Sequence, residues 1–144
     1  MKKGIDCIGV AVCYFCHDGA GNLLVSKRSE TTRDEQGRWD CGGGSVEWDE
    51  NIEDALVREI KEEYMTDVVK AEFLGYRDVH RELDDGTKTH WVMIDYKVQV
   101  NPDQVGIGEP ESIDELRWVN PGAIPEPTHS QLPAFLNKYK DKLV

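Results

Sequence analysis

Long hydrophobic runs are missing from this sequence. The longest apolar stretch, residues 7–16, has ten residues, about half of the roughly 20 that a membrane helix needs. Lys2 and Lys3 before it imitate the start of a secretory signal, but Asp6 interrupts the stretch and no small-residue cleavage site follows. The expectation is a cytoplasmic protein without membrane contact. Positive charge is also scarce: 17 Lys plus Arg stand against 28 Asp plus Glu, a net charge of −11. A surface of that sign repels duplex nucleic acid and anionic lipid. Cysteine is limited to Cys7, Cys13, Cys16 and Cys41, and a chain with enough apolar residues for a core has no need of disulfides. The pair Cys13 and Cys16 lies in an extended run, where an offset of three sends side chains to opposite faces. Buried strand thiols are therefore favoured over half a zinc site. No Walker loop, His-Glu-x-x-His helix or dinucleotide Gly-x-Gly-x-x-Gly pattern occurs.

What is present suits one globular unit. At 144 residues the chain has the length of a single domain, read here as residues 1–144. Residues 8–15 and 22–27 are β-like runs joined by a Gly-containing loop, which reads as a hairpin. Residues 51–64 have Ile52, Ala55, Leu56, Ile60 and Tyr64 at helical spacing, with acidic residues near the start. Residues 71–81 and 89–100 resemble long strands around Asp84, Asp85 and Gly86, and residues 115–119 a short one. A last amphipathic helix carries Leu132, Phe135, Leu136 and Tyr139, with Ser130 as its expected N-cap. Strands before, between and after two helices predict an α/β fold with a mixed sheet and flanking helices.

The chemistry concentrates in residues 44–66. With Glu59 set at zero on a helical wheel, Glu63 falls near +40° and Glu62 near −60°, at about 100° per residue. Leu56 and Ala55 occupy the same sector, so the carboxylates continue the apolar stripe. A solvated acidic face is the usual meaning of such a run, but like charges four apart disfavour a helix. Arg58 offsets Glu62 at that spacing, leaving Glu59 and Glu63 without a local counterion. Three converging carboxylates offer the hard oxygen donors that Mg²⁺, or Mn²⁺ as second choice, prefers. Upstream, Gly42, Gly43 and Gly44 leave the main chain free to adopt positive φ or to approach a ligand closely.

Gly44, five residues, Glu50, seven residues, then Arg58-Glu59-Ile60-Lys61-Glu62-Glu63 resembles the box of the Nudix hydrolase family (MutT-like). The motif spans 23 residues, and the strand pattern around it extends a weaker resemblance over most of the chain. It implies a Nudix α/β/α sandwich. Glu59, Glu62 and Glu63 match the family's metal-binding glutamates, and Gly44 the loop glycine whose carbonyl joins the metal shell. Glu50 and Arg58 match the pair that braces loop against helix. Arg28 resembles a phosphate-contacting arginine, with Gly43 and Gly44 beside the substrate. The family usually has glycine where Asp49 and Met65 stand, proline at Gly42 and an aliphatic residue at Thr66. Met in a left-handed cap costs of order 1 kcal/mol, so the helix is expected to run on or its exit turn to change type.

The implied activity is Mg²⁺-dependent hydrolysis of a pyrophosphate bond in a nucleoside diphosphate linked to another group. A nucleoside triphosphate or its modified form, cut to monophosphate and pyrophosphate, is the first choice, and an ADP-sugar or other nucleotide sugar the alternative. A non-catalytic nucleotide-binding sensor is the reading of another class. Glu59 is the first candidate for general base, with loop acids Glu109 and Glu111 behind it. His80 and His90 could touch substrate or cap a sheet edge. Trp39, Trp91 and Trp118 fit a core better than a base platform. The expected partner is a small nucleotide, with the chain a monomer or homodimer.

Overall fold

In the computed structural model, which describes residues 1–143, the apolar segments pair into one sheet with a helix on each face. In chain order the elements are β1 (Gly9–His17), β2 (Leu23–Arg28), β3 (Trp39–Asp40), β4 (Gly42–Ser45), α1 (Ile52–Tyr64), β5 (Val68–Glu82), β6 (Lys88–Val100), a 3₁₀ turn (Pro102–Gln104), β7 (Ile113–Val119) and α2 (Leu132–Leu143). The order β3-β2-β1-β6-β5 runs across the sheet, with β4 added to β1 and β7 to β2. Only β1 and β6 run parallel; the other pairs are antiparallel. This is a mixed sheet with flanking helices, as the order of strand and helix segments predicts.

The expected β1–β2 hairpin forms but is short. Its turn forms as read, with Asp18 accepting from the amides of Ala20 and Asn22 and from the Asn22 side chain. Yet the strands pair only at His17 and Leu23. Beyond that point β4 takes the edge of β1 from Ala11 to Tyr14, and β2 pairs with β7 instead. A local turn signal brings strands together, but longer-range partners decide how far they zip.

The two faces divide the core. Val12, Tyr14, Cys16, Leu24, Tyr96 and Val98 meet Leu56, Ile60 and Tyr64 of α1. Cys13, Phe15, Leu23, Val25 and Trp39 meet Leu132, Phe135, Tyr139 and Leu143 of α2. Cys13 and Cys16 thus face opposite sides, and both are buried free thiols, as is Cys41; Cys7 is exposed. Each fully buried Leu or Ile contributes about 1.5–3 kcal/mol. Trp39 is core, with the Arg117 guanidinium 4.6 Å over its ring. Among the described residues no helix is long and apolar enough to cross a membrane.

Helix ends are set by chemistry that the sequence shows only in part. Helix α1 begins after Asn51, has Glu53 and Asp54 in its first turn and Lys61 in its last, each sign favoured by the helix dipole. It stops at Met65, which adopts the left-handed conformation (φ 62°, ψ 11°) and donates its amide to the Lys61 carbonyl. The expected extension or altered turn does not occur: the chain keeps the glycine-type exit without glycine. Asp49 is likewise left-handed (φ 61°). Ser130 does not cap α2 as expected, because its amide and hydroxyl both donate to Glu35.

Candidate active site

Strand β4 delivers the glycines to the start of the site. None of Gly42, Gly43 and Gly44 has positive φ, contrary to one of the two reasons for expecting glycine here; close approach is the other, and it is what occurs. A Cβ on Gly43 would sit 2.9 Å from the Val12 carbonyl oxygen. One on Gly44 would overlap the Glu59 carboxylate, and one on Gly42 the Tyr14 ring and Glu63. Backbone and carboxylates therefore share space that any side chain would fill.

Arg58 gathers the acids around it. Its Nε and Nη2 donate to the two Glu50 oxygens at 2.7 and 2.9 Å, and Nη2 also to the Ser45 carbonyl at 3.1 Å. Nη1 reaches Glu59 at 2.9 Å and Glu62 at 3.2 Å. Glu59 thus has a local counterion after all, its own chain neighbour, which a spacing rule limited to offsets of three and four does not see. The Arg58 hydrogen bonds, helped by the Glu47 amide, hold the Glu50 carboxyl down at about 2.

Glu63 lies deeper, its Oε1 accepting from the Tyr14 hydroxyl at 2.8 Å. Burial pushes its pKa up to about 8, against the Tyr14 hydrogen bond and with the charges of Glu109, Glu59 and Asp40. Glu59 is raised by burial too, with Arg58 opposing and Glu62 and Glu109 adding. Glu109 arrives because loop 105–109 is strapped to the end of α1: the amides of Gly106 and Gly108 donate to the carbonyls of Tyr64 and Glu63, both at 3.0 Å. Burial raises its pKa, followed by Glu111 and Glu62. Glu111 contributes its backbone carbonyl to Ser29 and Thr31, and its carboxylate is not among the groups lining the cavity.

The resulting donor set fits a hard divalent ion. Glu59 packs against Gly44 and Glu63 against Gly42, while Arg58 holds Glu62 on the same side as Glu59; all three offer oxygen. Crowding and burial leave two of them reluctant to ionise, the excess of negative charge that a dication relieves.

Glu63 and Glu109, but not Glu59 or Glu62, line a cavity of about 590 Å³, together with Gly42, Gly43, Gly44 and the arginines Arg28, Arg33, Arg77 and Arg81. Arg28 and Arg81 converge on Asp34, through Oδ1 at 2.9 Å and Oδ2 at 3.0 Å. Arg81 also meets Glu35 at 2.7 Å. Sequence reasoning found Arg28 and missed the others. Arg77, Val79 and Arg81 alternate along β5 and all line the cavity, a period-two signal that names a face only once the sheet's cavity side is known. The same alternation decides between the two readings of the histidines: His80 lies between Val79 and Arg81, and His90 between Thr89 and Trp91, so both point away from the cavity.

The glycine strand thus presses against two glutamates of one helix, Gly44 on Glu59 and Gly42 on Glu63. The NUDIX domain model matches residues 8–139, and the chain belongs to the Nudix family. It is similar to the MutT NUDIX hydrolase from Burkholderia pseudomallei, with 28% identity, 90% of this chain and 96% of that one covered, and a TM-score of 0.77. The MutT protein from Methanosarcina mazei Go1 shares 24% identity over 94% of this chain and 92% of that one (TM-score 0.67). The NUDIX domain of Shewanella oneidensis NrtR, solved in complex with ADP ribose, shares 17% over 100% and 94% (TM-score 0.75). The last two likenesses show the fold alone.

Proposed function

We propose that this chain is a Mg²⁺-dependent pyrophosphohydrolase that cuts a nucleoside triphosphate, or a modified one, to monophosphate and pyrophosphate. The observation that carries the reading is one cavity of about 590 Å³ lined both by the carboxylates of Glu63 and Glu109 with the β4 glycines and by four arginines. That volume suits a small nucleotide, since ligand pockets run to roughly 300–1,000 Å³. Glu59, Glu62 and Glu63, with the Gly44 carbonyl, would hold the ion. When bound, Mg²⁺ would neutralise pyrophosphate oxygens and make a water nucleophile more acidic.

The chain's own residues do the rest. Arg58 fixes Glu59 against the glycine strand, so the carboxylate that accepts the water's proton is oriented before substrate arrives. Glu109, half-buried and raised by that burial, is the second candidate for this proton. Arg28 binds a phosphate oxygen when its contacts to Asp34 are exchanged for the ligand.

A nucleotide sugar is the second reading: a domain of the same fold, the NUDIX domain of NrtR, was solved in complex with ADP ribose. Product analysis across a panel of nucleotides with Mg²⁺ separates the two. Pyrophosphate plus a monophosphate supports the first; two monophosphates support the second. In that assay Glu62→Gln should lose rate by orders of magnitude while staying folded. Absence of turnover with both Mg²⁺ and Mn²⁺ would leave the sensor reading instead.

A further inference from the structure

On the sheet face turned away from the cavity, Asp78 and His80 of β5 and His90 of β6 converge, their ligand atoms all within 4.8 Å of one another. His80 and His90 are register partners. The His90 amide donates to the Gly4 carbonyl at 2.8 Å, away from β5. Because the N–H and C=O of a strand residue point to the same edge, His80 and His90 form a non-hydrogen-bonded pair, the kind in which side chains stand closest. Their rings stack with centroids 4.1 Å apart and planes 30° from parallel. Asp78, two residues back on the same face, brings Oδ1 to 3.0 Å from His90 Nε2. Asp78 and His80 are exposed and His90 partly so, which leaves the group open to a solvated ion. The strand ladder, not a loop, sets the spacing.

Two imidazoles and one carboxylate suit a late first-row ion, Zn²⁺ above all, whereas Mg²⁺ prefers all-oxygen surroundings. Three protein ligands leave a fourth tetrahedral position for water. We propose that Asp78, His80 and His90 form a second metal site, selective for Zn²⁺ over Mg²⁺ and separate from the glutamates of α1. It stands whether or not the hydrolase reading of the cavity holds. An ion here joins β5 to β6.

The test titrates the full chain with ZnCl₂ in saturating Mg²⁺, read by calorimetry, and with Co²⁺, read by visible absorption. One Zn²⁺ per chain is expected, with Co²⁺ bands free of thiolate charge transfer. His80→Gln and His90→Gln should each weaken Zn²⁺ by about tenfold or more, while Cys13→Ser and Cys7→Ser leave it unchanged. Circular dichroism checks that the exposed-site variants remain folded. No Zn²⁺ binding in Mg²⁺, wild-type Zn²⁺ affinity in either histidine variant, or a cobalt spectrum dominated by sulfur ligation would overturn the site.

Discussion

Arg58 meets Glu50 through two parallel contacts, Nε to Oε2 at 2.7 Å and Nη2 to Oε1 at 2.9 Å, while its remaining nitrogen holds Glu59. One guanidinium therefore fixes both the loop before α1 and the acid proposed to take the proton. Lysine offers a point charge and cannot span the same fork. Arg58→Lys should lower kcat by about 10–100-fold, the usual cost of losing a group that orients a metal ligand, with a smaller change in KM. Steady-state kinetics at saturating and limiting Mg²⁺ check this. An unchanged kcat would remove the orienting role from Arg58.

Glu63 makes the metal-free protein pH-sensitive in a defined direction. Its folded pKa of about 8 lies above its ordinary 4.5, so between those values the folded state binds more protons than the unfolded one. The stability associated with the neutral acid is complete below about 4.5 and is lost as pH rises through 8. In chelator-treated protein the urea midpoint should fall across that window, and Glu63→Gln should flatten the fall. Adding Mg²⁺ should stabilise more at pH 8 than at pH 5, because the ion replaces the proton. A midpoint equally steep in Glu63→Gln would assign the slope elsewhere.

The left-handed exit of α1 gives a stabilising substitution. Met65 holds φ 62° with half of its surface exposed. A non-glycine residue there costs about 1–2 kcal/mol, partly offset by the greater chain entropy that glycine loses on folding. Met65→Gly should therefore raise stability by about 0.5–1 kcal/mol, measured by urea denaturation. A loss of stability would mean that packing of the half-buried Met65 side chain outweighs the strain.

How far the sequence could be read follows from which signals are local. Helix α1 was legible because Ala55, Leu56, Ile60 and Tyr64 repeat at helical spacing and all are buried. Strands β5 and β6 were legible because alternating residues flank a turn at Gly86, though both run slightly longer than expected. Strand β4 was not, since three glycines are poor strand formers. They pair only because Val12 and Tyr14 offer a free edge to residues without side chains. The box residues could be placed by spacing. The arginines could not: Arg77 and Arg81 stand on one strand, Arg28 on another and Arg33 in a loop, and only the fold brings them to one cavity.

Asp95 anchors three elements at once. It is fully buried on β6, takes Arg77 of β5 on both oxygens at 2.7 and 2.9 Å, and accepts from the Tyr139 hydroxyl of α2 at 2.7 Å. Removing the carboxylate leaves a largely buried guanidinium and a hydroxyl without their acceptor, whereas removing both charges leaves neither ion unpaired. Asp95→Ala should cost about 3–5 kcal/mol, read as a lower urea midpoint. Arg77→Met combined with Asp95→Leu should recover much of that loss, because the pair's attraction is set against the cost of taking both ions out of water. If the double variant is as unstable as the sum of the single ones, the two sites act independently, and the Tyr139 contact rather than the ion pair secures α2 to the sheet.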